Sequence, residues 1–523
     1  MFGLDLGVFL SLVMFVVFMA MILTGYNVAF SFASTSLFFA FVGDLTDTFN
    51  PKTLGGQLPS NWASSIESAE LLAVPLFVLM GAILERSGLA ERLLNAFGLL
   101  MGSLRGGVAA AVIVVGTLLA AATGVVAATV IVMGLLSLPA MIRLGYDHRL
   151  ATGVITASGT LAQLLPPSIV LILLAQQLGV GILGLFAGAL IPGLLLSGIY
   201  IVYTLGISYL RPEMGPAMPP EERRLVGNPG ARAALIIASA LSGVVFLVTL
   251  LIGLNVALTS IPIVFVVCFA IVYFGKMLAA EVLVSIVPVL VLIAGVLISI
   301  FQGVATPSES GAVGVFGALI LSGLNYLFDQ VLVAEGATHI SPNWKLTRTA
   351  VREAGVSTAN ITILVMTLLF SSLFFRMMFR ELGGADQTAE WLSNIQGGKA
   401  GFVIVAMIAV FLLGINLEVL EVTFIVVPIF VPAMELLEFT NVERIWFAVL
   451  MAVNLNMAFI SPPVGFSLFY LQSVAPSEVK TSDIHRGALP FMALQVIALV
   501  VLGLFPGIVE YSFELFSSNA RAG

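Results

Sequence analysis

Charge is what this sequence has least of. Only 9% of its 523 residues are Asp, Glu, Lys or Arg, against about 25% in an average soluble domain. So few charges cannot cover a water-facing surface, which excludes a cytosolic enzyme, a nucleic-acid binder and a disordered chain together. There is one cysteine, Cys268, so no intrachain disulfide frames the fold. The three histidines, His148, His339 and His485, fall in expected loops, and no cluster has the spacing of a transition-metal site. The net charge of -7 comes from 21 basic and 28 acidic residues without a basic run, which offers no surface to a polyanion. No Lys or Arg precedes Lys52, so the N-terminus lacks the basic region of a cleaved signal peptide. Residues 6–23 are expected to stay as a transmembrane helix.

What the chain does have is apolar length: 60% of the residues are hydrophobic and the mean hydropathy is +1.13. A crossing of a hydrocarbon core roughly 30 Å thick needs about 20 apolar residues in a helix. The sequence predicts twelve crossings, at 6–23, 27–42, 71–84, 151–175, 182–210, 233–254, 258–274, 282–301, 311–328, 356–375, 446–471 and 489–509. Short loops rich in Lys and Arg stay in the cytoplasm. That places Arg86, Arg92 and Arg105, then Arg143 and Arg149, then Arg211, Arg223, Arg224 and Arg232, then Lys345, Arg348 and Arg352 on the cytoplasmic side.

Alternation agrees only if the chain between Arg105 and Arg143 enters the membrane and returns. Residues 106–142 form an uncharged run that would be about 55 Å long as one helix, nearly twice a straight crossing. Two half-helices fit better, with the turn at Thr123 and Gly124; backbone freed at that depth must be buried in protein or line a wet cavity. One long tilted helix with an interfacial segment is the alternative. A second run of similar length spans 400–434 and carries Gly414, Asn416, Glu418 and Glu421 at its middle. Both runs end in Pro-Ala-Met, at 139–141 and 432–434, and each is followed by a proline pair inside an apolar span, Pro166-Pro167 and Pro462-Pro463. Asp386, Glu390, Glu435, Glu438 and Glu443 flank the second run, so it is expected to open to the outside. Repeats of inverted topology with broken helices meeting near the midplane mark secondary transporters.

A proline pair removes helix donors and leaves upstream carbonyls without partners, and hard cations prefer such oxygens. The first break is preceded by Ser158, Thr160 and Gln163, and the second by Asn454, Asn456 and Ser461. One Na⁺ site per half is therefore inferred, between a hairpin tip and the adjacent broken helix. Hydroxyls in membrane helices also bond carbonyls one turn back, and any single Ser or Thr is open to that reading. Glu418 and Glu421, acids at membrane depth, are candidates to attract a cation, bind a proton or cap the second half-helix. Thr306, Pro307 and Glu309 read as a helix-capping box. Trp62, Trp344, Trp391 and Trp446 read as interfacial anchors.

In their order along the chain, these residues resemble the large membrane subunit of tripartite ATP-independent periplasmic (TRAP) transporters, the DctM-like family. The resemblance is carried by Ala122-Thr123-Gly124 through Gly134, Leu138-Pro139-Ala140-Met141, Gly145-Tyr146, Leu165-Pro166-Pro167-Ser168, Leu190-Ile191-Pro192-Gly193, Thr306-Pro307-Ser308-Glu309 and Asn454-Leu455 through Pro462-Pro463-Val464-Gly465. It implies an all-α polytopic inverted-repeat transporter of the elevator type, in a bacterial inner membrane, importing a small organic acid with Na⁺. The implied partners are a small four-helix, DctQ-like membrane subunit and a periplasmic substrate-binding protein. The first Na⁺ site would involve Thr123, Val126, Ala162, Leu165 and Pro167, and the second Gly414, Ala458, Ser461 and Val464. Gly124, Thr160, Gln163, Ser168, Asn416, Glu418, Asn454 and Asn456 are the candidates for the substrate site. Ala162 and Ala458 stand where the family usually has Gly, Val125 where it has Ser, and Thr129 and Glu418 where it has Asp.

The implied organisation is scaffold helices over 1–105, a first transport repeat over 106–181, and further scaffold over 182–355 with an extra helix pair near 233–275. A connecting helix and outer loop follow over 356–399, then a second repeat over 400–472 and a C-terminal helix over 473–523. A longer outer loop is expected at 44–70. No Lys or Arg lies in the site segments, so a carboxylate would be held by backbone amides, hydroxyls and Na⁺. A stand-alone Na⁺/dicarboxylate symporter or a Na⁺/H⁺ antiporter of similar architecture is the nearest alternative. An intramembrane enzyme would need paired catalytic groups, and the expected spans hold no His.

Overall fold

In lipid every backbone polar group must be satisfied within the protein, which leaves helices as the way for such a chain to cross. A computed structural model describes residues 5–223, 231–249, 254–274, 277–334 and 344–517, and among these every regular element is a helix. Helices α1 (Leu6–Leu23), α2 (Val28–Leu45), α3 (Lys52–Ile66), α4 (Ala73–Arg86) and α5 (Leu89–Met101) open the chain. The first unit comprises α6 (Gly107–Thr123), α7 (Val126–Arg143), α8 (His148–Thr160) and α9 (Ile169–Leu178). Then come α10 (Ile182–Leu210), α11 (Ala231–Thr249), α12 (Leu254–Phe274), α13 (Met277–Phe301), α14 (Pro307–Ala334), α15 (Arg348–Glu381) and α16 (Gly384–Ser393). The second unit comprises α17 (Gly398–Gly414), α18 (Val419–Ile425), α19 (Val427–Leu436), α20 (Asn441–Phe459) and α21 (Phe466–Val474). It is followed by α22 (Thr481–Leu504) and α23 (Gly507–Ser517).

Ten of the described helices are long and apolar enough to cross a membrane on their own. The crossings expected at 6–23 and 182–210 coincide with α1 and α10 to the residue. Several elements differ from expectation, and α15 extends from Arg348 to Glu381 where 356–375 was expected. The outer loop expected at 44–70 contains α3, which buries none of its own side chains and is held by Trp62, whose Nε1 donates to the Phe370 carbonyl at 3.2 Å. The crossing expected at 489–509 stops at Leu504 and restarts as α23 beyond Pro506, because the residue before a proline is pushed out of the helical region. Two short helices, α5 and α16, precede the hairpins at matching places, each entered through a left-handed glycine, Gly88 and Gly383. Arg224, Lys276, His339 and residues 250–253 of the expected crossing at 233–254 lie outside the described residues.

Both long runs fold back on themselves, bringing α6 against α7 and Phe402 of α17 against Phe430 of α19. The two units share their turn chemistry: Gly106 and Gly397 are left-handed N-caps, and Tyr146 N and Phe439 N close the turns after the hairpins on the Met141 and Met434 carbonyls, at 3.0 and 2.9 Å. Asp147 and Thr440 cap the broken helices, and Pro166-Pro167 and Pro462-Pro463 both have cis peptide bonds.

Polar contacts at the two ends of the bundle fix the directions. Arg149 at the start of α8 lies 3.6 Å from Asp483 at the start of α22, and Arg86 at the end of α4 pairs with Glu353 of α15 at 2.8 Å. The base of hairpin α6–α7 joins this basic end through Gly106 N to the Gly215 carbonyl, 2.8 Å, and Asp147 N to the Met214 carbonyl, 3.0 Å. At the opposite end Arg444, at the start of α20, reaches the Leu178 carbonyl that ends α9. There Lys399 at the base of hairpin α17–α19 pairs with Glu443 at 2.8 Å. The hairpins therefore enter from opposite ends. They also interlock: α7 packs on α21 of the second unit, and α18 and α19 pack on α9 of the first.

The surrounding helices brace this body. Arg92 of α5 is buried against α13 and α14, with Nε 2.9 Å from Glu281, Nη1 2.8 Å from Asp329 and 2.6 Å from Asn325 Oδ1. The pair α11–α12 packs mainly on itself, through a separate apolar cluster that includes Ile237, Leu241, Val272 and Phe328, and stands away from the hairpins.

Candidate functional site

The two hairpin tips and the two helix breaks converge on one cavity of about 90 Å³. Its walls are Gly124 to Ala127 from the first tip, Gln163, Ile169 and Val170 from the first break, and Glu418 to Leu420 from the second tip. Phe459 and Tyr470 come from the second broken helix, and Ile361 and Leu364 from α15. The N-termini of α7 and α9 open onto this space, where their free amide groups and dipoles present positive potential.

Gly124 makes the first tip possible. Its φ is +62°, which suits glycine, and a Cβ there would stand 3.2 Å from Ile169 N and 3.4 Å from the Pro167 carbonyl oxygen. The tip is held by its own hydroxyls: Thr123 and Thr129 Oγ1 lie 2.9 Å apart, and Thr129 Oγ1 donates to the Val125 carbonyl at 3.0 Å. From outside the hairpin, Gly81 of α4 comes so close that a Cβ would sit 2.5 Å from Thr123 Cα. At the second tip Glu418 caps α18, and Glu421 Oε2 accepts from Glu418 N at 2.9 Å. The capping role foreseen for these acids is thus present, and Glu418 also faces the cavity.

Of the residues assigned to the first Na⁺ site, Thr123, Val126 and Pro167 meet at the tip, while Ala162 and Leu165 lie buried in the turn before the proline pair. In the second, Gly414 touches Ala458, a Cβ there standing 2.9 Å from the Ala458 Cβ, and Ser461 N bonds the Ala458 carbonyl at 3.1 Å. Val464 sits in the turn that follows, beside Gly465.

The proline breaks do not leave every upstream carbonyl free. Ser168 Oγ donates to the Gln163 carbonyl at 3.2 Å, and Ser467 Oγ to the Phe459 carbonyl at 3.1 Å. Thr160 bonds within its own helix, Oγ1 to the Ala157 carbonyl at 2.9 Å. Asn416 is exposed and stands outside the cavity lining.

The amide side chains behave differently. Gln163 is 1% exposed and Asn456 0%, and neither amide has any hydrogen-bond partner in the protein. Asn454 donates Nδ2 to the Met407 carbonyl at 2.6 Å but leaves Oδ1 unpaired. Five of the thirteen buried polar atoms without partners among the described residues are these amide atoms, two on Gln163 at the first break and three in the last two turns of α20 before the second. A buried unsatisfied polar group costs about 1–3 kcal/mol, so their concentration here points to ligands that complete them.

Reading the sequence missed Tyr470, Ile361 and Leu364. Tyr470 carried a usable signal, a hydroxyl on a half-helix of the site; Ile361 and Leu364 carried none, being apolar residues in an apolar crossing.

Paired hairpins and two broken helices closing on a central cavity, among ten helices apolar enough to cross a membrane, give a polytopic membrane protein with the architecture of a secondary transporter. The chain belongs to the family described as the tripartite ATP-independent periplasmic transporter, DctM component, which matches residues 15–508. It is 24% identical to the C4-dicarboxylate TRAP transporter large permease protein DctM of Pseudomonas aeruginosa, over 84% of this chain and 86% of that protein. It is 25% identical to the isethionate TRAP transporter permease protein DctMQ of Oleidesulfovibrio alaskensis, over 87% of this chain and 60% of that longer protein. Its fold is similar to that of the YdaH transporter of Alcanivorax borkumensis, with a TM-score of 0.53 and 16% identity, covering 87% of this chain and 88% of that chain.

Proposed function

We propose that this chain is the large permease subunit of a Na⁺-coupled importer of a small organic acid, acting in a bacterial inner membrane with a DctQ-like subunit and a periplasmic substrate-binding protein. The observation that carries the proposal is the set of buried, partnerless amide atoms of Gln163, which lines the tip cavity, and of Asn454 and Asn456 near the end of α20. Amide oxygens are hard donors suited to Na⁺, and amide N–H groups suit a carboxylate. The relatives named for C4-dicarboxylate and isethionate transport support an organic acid as cargo.

The charges set an order of events. Glu418 faces the cavity and would repel a bare carboxylate, so a cation bound first at the tips turns the site attractive to the anion. The cargo is then held between the amide groups at the N-termini of α7 and α9. Interlocked, the two units α6–α9 and α17–α21 would move as one body against α4 and α15, carrying cargo between the ends in an elevator stroke. Reconstitution of the chain with its small subunit and binding protein in proteoliposomes tests the reading. Uptake of the binding protein's ligand should require an inward Na⁺ gradient, and uptake that persists in choline without Na⁺ would overturn the coupling.

A further inference from the structure

A second cavity, of about 530 Å³, lies at the end of the bundle opposite the basic end. Three of the elements that wall the tip cavity continue into it: α15 from Leu364 to Leu373–Arg380, α9 from Val170 to Gln177, and the second hairpin from Leu420 to Ile425–Glu435. At about 1.5 Å per residue, these separations put it roughly 8–14 Å beyond the tips along the same path. Buried Leu171, Leu174, Leu368, Leu369 and Val422 lie on those walls between the two cavities.

One residue in this outer cavity is out of balance. Arg376 makes no ion pair among the described residues; its side chain donates only Nη1, to Gln177 Oε1 at 3.0 Å, and its Nε is buried without a partner. The other charges lining the space are Arg380, Asp386 and Glu435. Arg380 lies 3.8 Å from Glu381 and Glu435 lies 4.0 Å from Arg444. Asn61, Ser64 and Ser65 of α3 close the rim with neutral polar groups. The Nη2 of that guanidinium has no partner among the described residues, and a cationic N–H group in a polar cavity suits a carboxylate or sulfonate oxygen.

We propose that Arg376 is the anion-binding residue of an outer subsite, which holds the organic acid by its carboxylate before the acid reaches the hairpin tips. The inference rests on the reading of the cargo as an organic anion and of this end as the outer one. Arg376 sits on α15, outside the interlocked body, so the subsite stays with the scaffold while the tips move. Its occupation needs no cation, because no acid forms an ion pair with that guanidinium.

The test is equilibrium dialysis of radiolabelled succinate against the purified full chain in detergent, in choline buffer free of Na⁺. Arg376→Gln should bind at least tenfold more weakly than the wild type, Arg376→Lys between them, and Gln177→Ala, which only releases the Arg376 Nη1, should lose no more than about threefold. Equal binding by the wild type and Arg376→Gln, or no wild-type binding at millimolar succinate, would overturn the subsite. Equal losses in Arg376→Gln and Gln177→Ala would also overturn it, showing that the pair only fastens α9 to α15. Na⁺-driven uptake is a separate readout: if it fails while Na⁺-free binding survives, the coupling falls and the subsite stands, and the converse result removes the subsite alone.

Discussion

Gln163→Leu should make this protein more stable and less able to work. Gln163 is 1% exposed and both polar atoms of its amide lack partners, so the ligand-free protein carries a desolvation cost of about 1–3 kcal/mol at this one side chain. Leucine removes the polar atoms at similar size, and that cost disappears. Transport loses the same groups when cation and cargo arrive, at about 1.4 kcal/mol for each tenfold of affinity. Unfolding of the purified chain in mixed micelles should therefore shift to higher SDS by the equivalent of about 1–3 kcal/mol. Na⁺-dependent uptake should fall at least tenfold in the same variant. A lower unfolding midpoint, or unchanged uptake, would refute the claim that these atoms await a ligand.

Other expectations follow from the same geometry. Thr129→Val removes the 2.9 Å hydroxyl contact that closes the first tip; at about 1 kcal/mol it should raise the Na⁺ concentration for half-maximal uptake roughly fivefold, and a wild-type value would show the hydroxyl pair to be dispensable. Glu418→Gln removes the carboxylate facing the cavity and should weaken the dependence of anion binding on Na⁺, a coupling worth about 1–3 kcal/mol, as read from succinate titrations at varied Na⁺. Gly81→Val places a side chain against Thr123 Cα, a clash of about 1–3 kcal/mol confined to this arrangement of tip and α4; slower uptake with unchanged expression is expected. Arg92→Ala leaves Glu281, 4% exposed, and Asp329 without their cation, and unfolding should show a loss of about 3–5 kcal/mol.

Much of this arrangement was readable before any coordinates. The runs at 106–142 and 400–434 were too long for one crossing, and both fold back at the residues where helix-breaking backbone was expected. The capping box at Thr306 and Glu309 forms as its spacing foretold, with Glu309 Oε2 accepting from Thr306 N at 2.8 Å. The short helices escaped notice for definable reasons. Helix α3 contains Gly55, Gly56 and Pro59 and buries nothing, so its stability comes from docking on α15. Helices α5 and α16 sit beside charged residues that, read linearly, look like loops. Ser168 was a candidate only as a polar residue near a break, and Ser467 was not one; their partners are carbonyls five and eight residues back along the chain.

The linear chain determined what depends on composition, length and local chemistry: residence in a bilayer, the place of most long apolar helices, and the doubling of a hairpin-and-break unit. Hydrophobic length and flanking charge act through the solvent, so they need no knowledge of neighbours. Tertiary structure decided which polar groups are spoken for and which are left over. It closed Thr123 on Thr129, spent the hydroxyls of Thr160 and Ser168 inside the protein, moved Asn416 out to the surface, and stranded Gln163, Asn456 and Arg376 without full partners. Whether a side chain is free depends on atoms far away in the chain, and only packing brings those atoms together.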